Sequence, residues 1–291
     1  MDQITLKALA KINLGLDVIR RREDGYHEVK MIMQTIHLFD SLVIAKSKEP
    51  GITISSNLSF LPTDKNNLIW KAGNLLMEEF GITEGVKVEL TKRIPVAAGM
   101  AGGSTDGAAM LYGMNEIFDL GLSRKELMDR GCKIGADVPY CLMRGTALAE
   151  GIGEKLVSLP PMVKCPVLIA KPKISVSTKF VYENLKLDEN LVHPDIDQLA
   201  EAIRQKDLPA IASNMGNVLE SVTIPNYPVI AEIKQKMLDS GSVGSMMSGS
   251  GPTVFGLFED EKTAKTAYQE MKKSGLAKQV YLTWIYNNRR K

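Results

Sequence analysis

The run Ile94-Pro95-Val96-Ala97-Ala98-Gly99-Met100-Ala101-Gly102-Gly103-Ser104-Thr105-Asp106-Gly107-Ala108-Ala109 constrains this chain more than any other stretch. It is made of small residues and opens directly into an apolar pattern at helical spacing, through Met110, Leu111, Met114 and Ile117. A β-rich segment at residues 86–90 feeds it. Strand, glycine loop and helix in that order leave two readings. Either the glycines let a strand end pack closely on a helix, or Gly99, Gly102 and Gly103 adopt angles that Cβ-bearing residues avoid and bring main-chain N–H groups up to an anion. In the second reading the unpaired amides and positive dipole end of the helix point into the loop. Ser104 and Thr105 then add hydroxyls where a β-phosphate oxygen or a magnesium ion would lie. Neither G-x-x-x-x-G-K-[ST] nor G-x-G-x-x-G occurs in the chain, which excludes both the P-loop and the dinucleotide fingerprint.

A length of 291 residues suits one large domain or two ordinary ones, and two are expected here. A net charge of +2 creates no field that argues for nucleic acid, and Arg289-Arg290-Lys291 reads as a solvated tail. Cys132, Cys141 and Cys165 form no C-x-x-C pair, and with only His27, His37 and His193 present a protein-held metal is not expected. The N-terminus lacks the pattern of a signal peptide and no apolar run is long enough for a membrane span, so a soluble, cytoplasmic protein is expected. The scattered methionines read as core filler. Nothing in the composition bears on oligomeric state.

Residues 12–18 and 29–36 read as a hairpin around Asp24-Gly25, followed by strands at 42–45 and 52–55 and a helix over 67–80. Ser123-Arg124-Lys125-Glu126 has the form of a capping box, predicting a helix over about 124–134 that leaves Asp137 in a loop. A strand is expected at 146–150, then a turn at Gly151-Ile152-Gly153 and a proline-marked stretch, Pro160-Pro161 to Pro166, near which the domain junction is placed. Beyond it the pattern predicts helices near 178–185, 195–206, 228–239 and 261–274, and strands near 167–170, 243–247, 253–258 and 280–286. Strands grouped as hairpins, without regular βαβ alternation, indicate an α+β fold.

Four further constellations carry chemistry. Lys11, in Ala8-Leu9-Ala10-Lys11-Ile12-Asn13, is either a strand lysine with its ammonium in solvent or a cation that lowers the pKa of a hydroxyl or stabilises a carboxylate. Asp137, in Gly135-Ala136-Asp137-Val138-Pro139, is either a turn aspartate bonded to its own backbone or, with Pro139 biasing Val138 to extended geometry, a carboxylate aimed at a substrate oxygen. An ammonium and a carboxylate near a γ-phosphate are what phosphoryl transfer to an alcohol needs. Asp24-Gly25-Tyr26-His27 is a turn with an exposed aromatic or a pair of rings that stack on a base. Ser248-Gly249-Ser250-Gly251-Pro252-Thr253 is a plain turn or a second backbone nest.

In their order these elements resemble the GHMP kinases. Pro95 to Ala108 is similar to the family's P-x-x-x-G-L-x-S-S-A loop, and Ser248 to Thr253 to its C-terminal glycine motif. Ala10-Lys11-Ile12-Asn13-Leu14, Asp24-Gly25-Tyr26-His27 and Gly135-Ala136-Asp137-Val138-Pro139 look like signatures of the branch whose acceptor is a cytidyl-diphospho sugar alcohol. The resemblance spans essentially the whole chain. It implies a two-domain α+β fold, an ATP-binding domain over 1–156 and a GHMP-kinase-type C-terminal domain over 157–291, with the active site in the interdomain cleft. The implied reaction is ATP-dependent phosphorylation of the acceptor's 2-hydroxyl, in the non-mevalonate route to isoprenoid precursors. Asp137 is then the general base and Lys11 its catalytic partner. Pro95, Val96, Ala97, Ala98, Gly99, Met100, Ala101, Gly102, Gly103, Ser104 and Thr105 cradle the ATP phosphates, with Asn67 and Lys92 near the adenosine and Mg2+ accompanying ATP. By the same resemblance His27 reads the cytosine edge, Tyr26 and Tyr182 pack on base or sugar, and Asn13, Thr178 and Asp137 contact substrate oxygens. Ser248, Gly249, Ser250 and Gly251 shape the site.

Three positions depart from the family's loop. Met100 replaces the usual leucine at nearly equal volume, Thr105 replaces a serine with an added methyl on the phosphate side, and Gly107 replaces an alanine. A helical glycine costs about 1 kcal/mol relative to alanine, which is expected to loosen the anion site. Two other readings stay open: a GHMP kinase for another small alcohol of mevalonate type, which has no need of Tyr26 and His27, and a non-catalytic binding module of the same fold.

Overall fold

The computed structural model describes residues 1–288, so the basic end Arg289-Arg290-Lys291 lies outside the described residues. Their mixture of helix and sheet is α+β, as expected from the grouping of the strands. The chain divides into two compact units. The first contains Met1–Ala10, Phe39–Val96 and Ala101–Met143, and the second Lys11–Leu38, Ala97–Met100 and the chain from Arg144 onward.

Two long strands, β1 (Gln3–Arg21) and β2 (His27–Ser47), begin the chain as the predicted hairpin, with Asp24-Gly25 in the turn. The strand expected at 42–45 is the continuation of β2, because 37–41 contains neither glycine nor proline to break it. The first unit also contains β3 (Ile52–Ser56), α1 (Leu68–Phe80), β4 (Gly85–Thr91), α2 (Gly102–Ile117), α3 (Arg124–Cys132) and α4 (Val138–Met143). The end of β2 pairs antiparallel with β4, and β3 runs parallel to β4 on its other side. Ile69, Ala72, Gly73 and Leu76 form the buried stripe of α1. A Cβ on Gly73 would stand 2.6 Å from the Met110 methyl, so the glycine lets α1 lie close against α2. The capping box at Ser123 and Glu126 is formed.

Helix α4 corrects the reading of Pro139. Val138 is not extended; it opens α4, and Pro139 occupies the first helical turn, where a missing N–H costs nothing.

The second unit contains β5 (Thr146–Gly151), β6 (Lys155–Ser158), β7 (Pro166–Lys171), α5 (Thr178–Asn184), α6 (Ile196–Gln205), α7 (Leu208–Ser213), β8 (Gly216–Asn217), α8 (Glu220–Asn226), α9 (Val229–Asp239), β9 (Gly244–Met247), β10 (Val254–Leu257), α10 (Glu261–Ser274) and β11 (Gln279–Trp284). Here β2 pairs with β5, β5 with β6, and β1 runs parallel to β8 through Gly15 opposite Gly216. A separate antiparallel sheet has the order β11-β7-β10-β9. Residues 8–18 of β1 are buried on both faces, so the polar residues that alternate with Ile12, Leu14, Leu16 and Val18 are buried as well. No helix among the described residues is long and apolar enough to cross a membrane.

Candidate active site

Lys11 and Asn13 stand two residues apart on β1 and so share a face of the strand. Lys11 is only 5% exposed, which overturns the reading of an ammonium in solvent. Burying an ammonium is tolerable only with polar partners, and Lys11 Nζ donates to Asn13 Oδ1 at 2.7 Å. Asn13 is held from its other end, where Nδ2 approaches the Met31 sulfur on β2 at 3.2 Å. The Lys11 amide donates to the carbonyl of Met100 at 3.2 Å, tying the tip of the glycine loop to the strand that carries the lysine.

The loop reaches its shape differently from the expectation. Left-handed backbone occurs at Ala97, Gly99 and Ala101, whereas Gly102 and Gly103 are the first residues of α2. Each left-handed alanine costs roughly 1–2 kcal/mol, strain of the kind that collects at ligand-binding turns. Gly102 is small for a different reason: a Cβ there would lie 3.1 Å from both the Ile94 side chain and Lys92 Nζ. The residue capping α2, Ala101, makes no side-chain cap bond, so no side chain of its own cap screens the amides of that first turn from an anion. Ser104 is half-buried and Thr105 buried. Gly107 has a packing reason, since a Cβ would press to 3.3 Å on the side chain and carbonyl of Leu68 at the head of α1.

Against the loop tip sits the second glycine turn. Ser248 Oγ donates to the Gly99 carbonyl at 2.9 Å, and a Cβ on Gly99 would fall 2.0 Å from the Ser248 carbonyl oxygen. Gly249 and Gly251 are both left-handed. Asn217, on β8, donates to the carbonyls of Met247 and Gly249 at 2.9 and 2.8 Å and fixes the turn to the sheet. Ser250 Oγ is 2.8 Å from the hydroxyl of Thr178, the first residue of α5. One turn along that helix the Tyr182 ring lies 5.1 Å from the His27 ring at 44°. Tyr26 is exposed, its amide bonded to Asp24 Oδ1. Burial, with the Arg21 charge adding to it, holds the His27 imidazole below its usual pKa.

In the first unit Lys92 Nζ is buried between two carboxylates, 2.5 Å from Asp40 Oδ2 and 2.8 Å from Asp106 Oδ2. Asp40 Oδ1 also accepts the amides of Arg93 and Ile94, and so fixes the segment that leads into the loop. Burial works to lower the Lys92 pKa, but the two carboxylates outweigh it and raise it. Asp106 is pushed up to about 8 by burial and the neighbouring Asp40, with Lys92 opposing. Its Oδ1 is buried without a hydrogen-bond partner. Neither aspartate emerges as a site residue from the sequence: Asp40 lies among apolar β2 residues, and nothing local shows that Lys92 reaches 52 residues back to it.

Asn67 caps α1, accepting the Ile69 amide at 2.9 Å. Leu68, next to it, faces both Gly103 and Gly107, so the heads of α1 and α2 adjoin. Asp137 is half-buried immediately before α4, its carbonyl accepting the Cys141 amide at 3.1 Å. The second unit thus brings together Lys11, Asn13, the loop tip, the second glycine turn, Thr178, Tyr182 and His27, while the first gathers Lys92, Gly102, Ser104, Thr105 and Asn67 around the heads of two helices.

Comparison with known proteins gives a consistent picture. The family model for the GHMP kinases N terminal domain matches residues 67–145, and that for GHMP kinases C terminal matches 199–277. A 4-diphosphocytidyl-2-C-methyl-D-erythritol kinase of Lachnospira eligens is 56% identical over 97% of this chain and 98% of its own length. The crystal structure of a 4-(cytidine 5'-diphospho)-2C-methyl-D-erythritol kinase superposes with a TM-score of 0.83 at 30% identity, covering 98% of this chain and all of that one (100%). A homoserine kinase from Cytophaga hutchinsonii superposes at 0.79 with 22% identity, over 99% and 96% of the two chains, a likeness of fold alone.

Proposed function

The chain belongs to the GHMP kinase family, and from that premise we propose that it transfers the γ-phosphoryl group of ATP to the 2-hydroxyl of 4-diphosphocytidyl-2-C-methyl-D-erythritol, a step of isoprenoid precursor biosynthesis in the cytoplasm. One observation carries the choice of acceptor. The paired His27 and Tyr182 rings offer a flat apolar surface beside a heterocyclic edge, within the same unit as Lys11 and the loop tip. With its pKa held down, the imidazole is neutral at physiological pH and offers one donor and one acceptor, as a cytosine edge requires. A small alcohol without a base gives such a pair nothing to bind.

In this reading the segment Pro95 to Thr105 receives the phosphates, with Asn67 and Lys92 on the adenosine side. Asp137 accepts the proton of the 2-hydroxyl as that oxygen bonds to the γ-phosphorus, and the bond from phosphorus to the β,γ-bridging oxygen breaks to release ADP. Lys11, oriented by Asn13, stabilises the charge that builds on the transferring group. Asn13 borders the acceptor oxygens. Magnesium enters with the nucleotide, as Mg–ATP; the hydroxyl of Ser104 stands at the helix head that meets those phosphates.

Purified protein incubated with Mg–ATP and, separately, the cytidyl acceptor, mevalonate, homoserine and galactose tests this directly. ADP release is expected with the cytidyl acceptor alone. Turnover on another alcohol would replace the acceptor, and silence throughout would overturn the catalytic role.

A further inference from the structure

The two ends of the proposed acceptor site are joined by an unbroken series of contacts within the second unit, and its middle member is a single hydroxyl pair. At one end, the Gly99 carbonyl holds the Ser248 hydroxyl at 2.9 Å. Gly249 comes so near that an added Cβ would lie 3.2 Å from the Gly99 backbone and 3.6 Å from Asn13 Oδ1. Asn217 pins the carbonyls on either side of Ser248, so this part of the turn has little freedom. At the other end, Thr178 and Tyr182 are four residues apart on α5 and so lie on one helix face. Between the ends stands the 2.8 Å contact of Ser250 Oγ with Thr178 Oγ1. The helix is short, capped by Ser177 through a 3.3 Å bond, and several of its residues are exposed.

Resting on the function proposed above, we propose that the Ser250–Thr178 hydroxyl pair is a positioning link, which sets the Tyr182 ring against His27 and thereby couples recognition of the nucleobase to the turn that supports the phosphate loop. Thr178 acts through Tyr182, and Ser250 through Thr178. The pair is a specificity device for acceptors that carry a base, and has no part in moving the proton or the phosphoryl group.

Steady-state kinetics on the full chain test it, with Thr178→Val, Ser250→Ala, the double variant and Thr178→Ser. Loss of one hydrogen bond is worth about three- to tenfold in an equilibrium constant. Each single variant is expected to raise KM for the cytidyl acceptor by about that factor, while KM for ATP changes by less than about twofold. The double variant should be no worse than either single one, because both remove the same contact. Thr178→Ser restores the hydroxyl and should recover most of the loss. Additive effects in the double variant, a Thr178→Ser variant as impaired as Thr178→Val, or equal losses for ATP and acceptor would each overturn the link. Should Thr178→Val fail to fold, as thermal unfolding would reveal, Ser250→Ala and Thr178→Ser carry the same comparison. Absence of turnover by the unaltered protein would instead strike the proposed function itself, and the link with it.

Discussion

Two glycine-rich segments of similar composition do different physical work. In the loop at 95–105 the left-handed angles fall on Ala97, Gly99 and Ala101, and the chain runs on into a helix of 16 residues. In the turn at 248–251 they fall on Gly249 and Gly251, and the carbonyls on either side of Ser248 are tied down by Asn217. The first segment therefore presents amides at a helix head, which suits an anion. The second consumes its polar groups internally and uses its missing Cβ atoms to approach the first. A glycine motif is thus no single signal: the element it leads into and the partners of its carbonyls decide whether it faces a ligand or props up another loop.

The hardest test of this contrast removes the base that neither segment supplies. Asp137→Asn should lower kcat by about a thousandfold, within the range for loss of general-base catalysis, while calorimetric affinity for ATP stays within about twofold. A matching loss of ATP affinity would place Asp137 in the nucleotide cradle and blur the distinction. Next in size is Gly99→Ala. Its Cβ meets the Ser248 carbonyl at 2.0 Å, so denaturant unfolding should show a loss of about 3 kcal/mol, from left-handed strain and overpacking together. Gly249→Ala, with its closest contact at 3.2 Å, should lose about half as much. Equal losses would mean that the two segments bear on each other symmetrically.

His27→Ala should raise KM for the cytidyl acceptor about tenfold and leave that for ATP nearly unchanged. In the unaltered protein, acceptor affinity should weaken as pH falls, with a midpoint below the ordinary imidazole pKa, because burial and the Arg21 charge disfavour protonation of His27. The last effect, read in stability instead of turnover, concerns the support beneath the loop. The Asp106 pKa is raised in the folded protein, so its stabilising contribution is full below the unfolded carboxyl range and is lost as pH rises through about 8. Asp106→Asn should therefore flatten the decline of the melting temperature between about pH 4 and 8. An unchanged slope would show that Asp106 is already ionised at neutral pH.

Much of this architecture is legible in the residues. The 261–274 helix, the capping box at Ser123, the opening hairpin and the strands flanking Ser248 carry strong periodicity or explicit start signals, and they form where expected. Helices α4, α7 and α8 leave no such trace, each being six or seven residues long and containing a proline, too short to show a period. Strand β8 spans two residues and exists only because β1 lies beside it. Glycines mark the loop correctly but misplace its bends. The tightness at Gly102 comes from Lys92 and Ile94, so smallness is used there for approach, while two alanines accept the unfavourable angles.

By itself, the order of side chains determined that a strand leads through a small-residue loop into a helix, that the fold mixes helix and sheet, and which lysine, aspartate, histidine and tyrosine are worth testing. Those features are local: they arise from backbone preferences and from spacing within a few turns. Only the folded arrangement decided that Lys11 is buried against Asn13, that Lys92 stands between Asp40 and Asp106, and that the turn at Ser248 rests on Gly99. Each joins positions distant in sequence or depends on burial, and the free energy of a buried charge or a close backbone approach is set by neighbours that no local pattern records.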